Sequence, residues 1–147
     1  MTIAIGADHR GYKLKSTLVD WLKENHEVKD LGADSRESCD YSDYAIQVAE
    51  TVSSGKAQLG ILICGTGIGM SMAANKVKGI RAARVCTVKD AEMSHRHNNA
   101  NLLCFGADTG VDAELAEKMI TVWLENEFEG GRHERRLGKI SDYEDRE

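Results

Sequence analysis

The chain has 147 residues, 41% of them apolar and 29% charged, which suits one soluble domain (1–147) with a real hydrophobic core. A formal net charge of −5 excludes a molecule drawn as a whole to nucleic acid or an anionic membrane, so any anion must be held by a local cluster of donors. No run approaches the ~18 consecutive apolar residues of a membrane helix, and the stretch from Met1 to Gly6 does not read as a signal peptide.

In chain order, Thr2 to Ala7 predicts a first strand and Gly11 to Asn25 a helix, with Leu14, Leu18, Trp21 and Leu22 on one apolar stripe. Glu27 to Leu31 is a weaker second strand. Tyr41 to Ser53 is a helix with Asp40 as its expected cap and Ala45, Val48, Ala49 and Val52 on one face. Gly60 to Cys64 is the most hydrophobic run and reads as a central third strand. A glycine-rich turn and a small-residue helix to Lys76 follow it. Ile80 to Cys86 predicts a fourth strand and Val88 to His97 a helix. Asn101 to Phe105 predicts a fifth strand and Asp112 to Asn126 a helix. A charged helix then starts at Arg132, after the Gly130-Gly131 break, and runs towards the end.

This βα alternation predicts a three-layer αβα sandwich, an α/β fold with a five-stranded parallel sheet in the flavodoxin- or Rossmann-like order 2-1-3-4-5, plus a C-terminal helix. In such sheets ligands bind beyond the carboxyl ends of strands one and three. The first strand ends at Asp8-His9-Arg10-Gly11 and the third at Cys64-Gly65-Thr66-Gly67-Ile68-Gly69, so the two loops richest in reactive groups should face each other. Cys39, Cys64, Cys86 and Cys104 are widely spaced, with no CxxC pair. They predict free thiols and a cytoplasmic, reducing compartment.

Three glycines in five residues let the backbone after Cys64 turn tightly and bring its N–H groups to a ligand. The following helix start favours an anion, and the same field favours thiolate over thiol at Cys64. The plainer alternative is a buried strand-end cysteine before a tight turn. No GK[ST] follows, and GxGxxG is absent, which disfavours a nucleotide loop. Asp8 can accept from sugar hydroxyls and His9 can bond or move a proton, or else Asp8 caps the first helix and His9 is solvated. The His95-Arg96-His97 run invites a metal, but no acidic or cysteine ligand sits beside it at a familiar spacing, and none is expected. His97 precedes the fifth strand, at the opposite end of the sheet from its own crevice. If it is catalytic, a neighbouring subunit supplies it. Arg132 and Arg136 are four apart on a helix and can clamp one phosphate together. The alternative is a surface helix salt-bridged through Glu134, Asp142 and Glu144.

The stretches GADHRGYKLK, GILICGTGIGMSMAANKVKGIRA, HNNANLL and WLENEFEGGRH span nearly the whole chain. Together they resemble the ribose-5-phosphate isomerase B family, which is related to galactose-6-phosphate isomerase subunits. The resemblance implies an aldose–ketose isomerase of the pentose phosphate pathway. It also implies a homodimer with active sites shared between subunits, extending in some cases to a tetramer, and no metal or organic cofactor. Cys64 would move the proton between sugar carbons one and two, while Thr66 and His97 help open the furanose ring. Asp8 would hold hydroxyls, Gly65, Gly67, Gly69 and Asn98 the enediolate, and His9, Arg132 and Arg136 the phosphate. One departure stands out: where the family often carries an arginine in a G-[AS]-R-V run, this chain reads Gly106-Ala107-Asp108-Thr109-Gly110. That loop bears on substrate choice, and allose 6-phosphate, galactose 6-phosphate or a tetrose phosphate are the alternative substrates. A non-catalytic phosphate- or nucleotide-binding module is the alternative from another class.

Overall fold

Five parallel strands form one sheet in the computed structural model, which describes residues 1–146. The strands are β1 (Thr2–Ala7), β2 (Glu27–Asp30), β3 (Leu59–Cys64), β4 (Ala82–Arg84) and β5 (Leu102–Gly106). The helices are α1 (Tyr12–Leu22), α2 (Tyr41–Ser53), α3 (Ile68–Ala74), α4 (Val88–Arg96), α5 (Ala113–Glu125) and α6 (Arg132–Glu144). Glu147 lies outside the described residues, so the predicted run of the terminal helix towards the chain end is followed only to Glu144. Asp40 stands at the start of α2 as expected, but its side chain makes no capping hydrogen bond there.

The three-layer αβα class is as predicted, and the strand order differs in one place. The sheet runs β2-β1-β3-β5-β4, with the last two strands exchanged relative to 2-1-3-4-5. Hydrophobicity explains the exchange. All five residues of β5 are buried, whereas β4 is a three-residue strand with exposed Arg84, suited to an edge that pairs on one side only. The exchange also decides where α4 lies. A right-handed crossover from an edge strand back towards the centre must run over the face opposite to that of α3. Accordingly Ala91 of α4 packs with α1 and α5 around Leu18, Phe105 and Trp123, while α2 and α3 cover the other face around Val48, Leu62 and Met70.

The β1–β3 pairing is unaffected and carries the site. Ala7 lies opposite Ile63, and the Asp8 N–H donates to the Ile63 carbonyl at 3.2 Å. Gly11 closes the approach of α1 to this ladder: a Cβ there would fall 2.5 Å from the Ile63 oxygen. Helix α6 stands apart from the sheet. Its one buried residue is His133, and Ile140 and Tyr143 are exposed.

Periodicity did not reveal that Lys15, on α1, is only 2% exposed. Its Nζ donates to Asp30 Oδ1 at 2.7 Å, and the same oxygen accepts from the Gly32 N–H at 3.1 Å. A buried ammonium deprived of its partner keeps its desolvation cost, but Asp30 is partly solvated, which moderates the loss. We expect Asp30→Ala to destabilise the chain by about 2 kcal/mol, read as a lower urea midpoint at unchanged m. A change within error would show that the pair is not holding α1 to β2.

Candidate active site

The carboxyl ends of β1 and β3 open onto a cleft of about 680 Å³. It is lined by Asp8, Cys64, Gly65, Thr66 and Gly69 from the predicted set, joined by Arg10, Tyr41, Ile68, Met72, Asp108 and Thr109. Cys64 ends β3 with only 5% of its surface exposed, at the cleft floor. Its sulfur accepts a hydrogen bond from the Gly67 N–H at 3.1 Å, an arrangement suited to an anionic sulfur. The Gly67 N–H, expected to face an enediolate, is here given to the Cys64 sulfur.

Local sequence explains the loop. Gly67 sits at φ 78°, and a Cβ there would meet the Phe105 backbone at 2.9 Å. The Thr66 hydroxyl accepts from the Ile68 N–H at 3.2 Å and keeps its own proton to donate elsewhere. Arg84 Nε donates to the Thr66 carbonyl at 2.8 Å, so the edge strand holds the loop from outside. The ring of Tyr41 covers Gly69 where a side chain would otherwise stand. Asp8 is 5% exposed, and its Oδ1 accepts from the N–H groups of Arg10 (3.0 Å) and Gly11 (3.1 Å). It thus organises the turn into α1, and it lines the cleft as well.

The other predicted residues lie elsewhere. The His9 ring turns to the loop before α2, where Nδ1 accepts from the Cys39 N–H at 3.3 Å. His97 ends α4 among Glu129 and His133, away from the cleft lining. Asn98 lines a second cavity, of about 610 Å³, between β4, α4 and α6. Arg132 and Arg136 are exposed on α6, and among the described residues neither enters an ion pair. The salt-bridged alternative for that helix is therefore not what is seen. The sulfur, the glycine loop and Asp8 gather in the fold of one chain, while the histidine and the arginine clamp do not join them.

Sequence reasoning missed Arg10 as a cleft residue, although it adjoins Asp8. Its Nη1 pairs with Asp108 Oδ2 at 2.9 Å across the mouth, over Gly65. Asp108, conspicuous as a departure in the sequence, thus pairs with Arg10, the one cation lining the cleft among the described residues. Sequence reasoning also missed the carboxylate beside His97. His97 and His133 stack in parallel with ring centroids 4.2 Å apart, and Glu129 Oε1 is 3.7 Å from Nε2 of each. Burial, then the neighbouring His97 and Arg132, hold the His133 pKa below its ordinary value. The hydrogen bond from Arg96 holds the Glu129 carboxyl below the usual carboxylate range. His95 turns the other way, its Nδ1 against the Trp123 carbonyl at 2.6 Å, so the His-x-His pair does not act as a unit. All four cysteines are free, and burial pushes the Cys104 thiol far up, leaving it an inert core residue.

Fold and cleft together define a doubly wound α/β protein with a cysteine and glycine-loop site at its switch point. The chain belongs to the Ribose/Galactose Isomerase family, whose model matches residues 3–140. It is 46% identical over 145 residues to ribose-5-phosphate isomerase B of Escherichia coli, covering 98% of this chain and 97% of that protein. Among solved structures, Clostridium thermocellum ribose-5-phosphate isomerase B superposes with a TM-score of 0.96 at 50% identity, covering 98% of this chain and 97% of the other. Ribose-5-phosphate isomerase B from Mycoplasma genitalium with bound ribulose-5-phosphate gives 0.94 at 43% identity, over 99% and 97%.

Two glycines at positive φ separate conformational strain from close approach. Gly55 (φ 81°) has open space around its absent Cβ, whereas Gly67 is pressed on Phe105. We expect Gly55→Ala to cost about 1 kcal/mol and Gly67→Ala about 3 kcal/mol, since overpacking adds to the strain. Thermal denaturation of both variants checks this, and equal losses would show that the loop yields freely to Phe105.

Proposed function

We propose that this chain interconverts ribose 5-phosphate and ribulose 5-phosphate through an enediolate, with Cys64 as the carbon-acid base. The observation that carries the reading is the Cys64 sulfur, held by the Gly67 N–H at the floor of the cleft where β1 and β3 part. The names and likeness of the relatives support it.

The chemistry requires a base and a stabilised oxyanion. A carbon-bound hydrogen next to a carbonyl is weakly acidic, so the Cys64 thiolate can remove it from C2 of the open aldose only if charge on the adjoining oxygen is met. Backbone donors fixed around Gly65 and Gly69 meet it without reorganising, and such a donor is worth ~100-fold or more in rate. The proton returns to C1 from the same sulfur as the second oxygen gives up its own. Asp8 holds hydroxyls, and Thr66 and His97 exchange protons with the ring and anomeric oxygens during opening.

The phosphate explains why one chain is insufficient. The cleft's own cation, Arg10, is already paired to Asp108, while Arg132 and Arg136 are exposed on α6 and unpaired among the described residues. Exposed Tyr41, Ile68 and Met72 around the cleft mouth, with Ile140 and Tyr143 on α6, are apolar surface that a second copy would cover. In this reading a homodimer brings His97, Asn98, Arg132 and Arg136 of one copy to the Cys64 cleft of the other, with His9 joining the phosphate site, in a cytoplasmic enzyme that needs no metal or cofactor. A second reading, a different aldose phosphate as substrate, is favoured by Asp108. A substrate panel followed by NMR separates the two.

Cys64→Ser should lower kcat by about 1,000-fold or more with little change in KM and abolish deuterium uptake at C2, whereas Arg136→Ala should chiefly raise KM. Equal effects in the two variants would refute the assigned roles, and a binding module would show no exchange even in the unaltered chain. Mixing inactive Cys64→Ala and His97→Ala chains should restore about a quarter of full activity, because half the dimers are hybrid and each hybrid has one intact site. No recovery after verified subunit exchange would place the whole site in one chain.

A further inference from the structure

The carboxylate between His97 and His133 has no role in the reaction as described so far. We propose that Glu129 is a positioning residue for His97: by drawing the Nε2 protons of the stacked imidazoles to one oxygen, it selects the tautomer that His97 presents to the sugar. The inference rests on the reading of His97 as a proton carrier in ring opening.

Geometry argues for it. Because the two rings are nearly parallel, at 9°, their Nε2 edges point the same way, and Glu129 Oε1 lies 3.7 Å from both. That is longer than a hydrogen bond, so here the carboxylate acts through its charge, and one modest side-chain adjustment closes either contact. His133 is 8% exposed and its Nε2 has no hydrogen-bond partner, so a buried imidazole edge faces this oxygen with nothing else to take its proton. A neutral imidazole carries one N–H, and an acceptor at Nε2 retains the proton there, leaving the Nδ1 lone pair to receive one from a sugar hydroxyl.

The carboxylate is itself held. Arg96 Nε donates to Glu129 Oε2 at 2.6 Å, and the Glu129 N–H donates to the Arg96 carbonyl at 3.0 Å. Arg96 directly precedes His97, so the segment before α6 is fastened to the end of α4 at the residue whose neighbour needs orientation. Arg96 also bonds Glu92 through Nη1 at 2.7 Å. The three ligand atoms lie within 4.8 Å of one another, as a metal set would. The cationic surroundings, Arg96 on Oε2 and Arg132 near His133, oppose a metal cation and leave neutral imidazole N–H groups facing the carboxylate.

The test is Glu129→Gln in the full chain, with nitrogen-detected NMR of ¹⁵N-labelled imidazoles and two kinetic assays. In the native chain His97 should be in the Nε2–H form, and the variant should lose that preference. Conversion of ribose 5-phosphate, which must open its ring, should fall about tenfold in kcat. Deuterium exchange at C1 of ribulose 5-phosphate, which is acyclic because its C5 oxygen carries the phosphate, should change less than about twofold. An unchanged His97 tautomer, or equal losses in both assays, would overturn the proposal. So would Zn²⁺ at micromolar concentration shifting the His97 and His133 signals together in the native chain, which would mark a metal site. If the native chain neither converts nor exchanges either sugar, the isomerase reading fails, while the tautomer measurement still decides the role of Glu129.

Discussion

The parallel pairing of β1 with β3 is the constraint on which the cleft depends. Once Ala7 lies opposite Ile63, Asp8 and Cys64 must leave the sheet side by side, and their loops have nowhere to go but apart. Glycines let the backbone follow: Gly11 permits α1 to come down on the Ile63 carbonyl, and Gly67 permits the loop after Cys64 to lie on Phe105. The sulfur then meets a backbone N–H within its own turn. A thiol so placed is shielded by strands on both sides yet opens at the strand end, a combination that neither a core cysteine such as Cys104 nor a surface one achieves.

A second arrangement grows from the other end of the sheet. The short edge strand β4 sends α4 back across the sheet, and His97 emerges at its close, where α6 begins nearby. Parallel imidazoles, a shared carboxylate and two exposed arginines then occupy one region. The Cys64 cleft gathers a thiol, a carboxylate and a glycine loop, and among the described residues its lining cation, Arg10, is paired. The α6 region brings exposed Arg132 and Arg136 beside two imidazoles and a carboxylate. In the proposed function each region supplies what the other lacks, which is why a second copy enters it.

Asp108 shows how one residue changes the balance of a cleft. A carboxylate at that position draws Arg10 over Gly65 and cancels its charge. The cleft mouth is left with more oxygen acceptors and less pull on an anion. The same pair puts a carboxylate oxygen beside the loop at Gly65.

From the sequence alone, Thr2–Ala7, Tyr41–Ser53, the crevice between the first and third strands and the Cys64–Gly69 loop could be read, because each rests on local signals: continuous apolar runs, helical periodicity, and glycine where the backbone must turn. The separation of His97 from Cys64 also followed from chain order, since in a parallel sheet the loop before a strand lies at the opposite end from the loop after one. Tertiary structure alone decided the exchange of β4 and β5, the burial of Lys15 against Asp30, the Arg10–Asp108 pair and the union of His97, Glu129 and His133. These depend on which surfaces meet after collapse, when buried β5 outcompetes a short polar-edged strand for the centre and residues tens of positions apart come into contact. Local propensity has no term for such encounters.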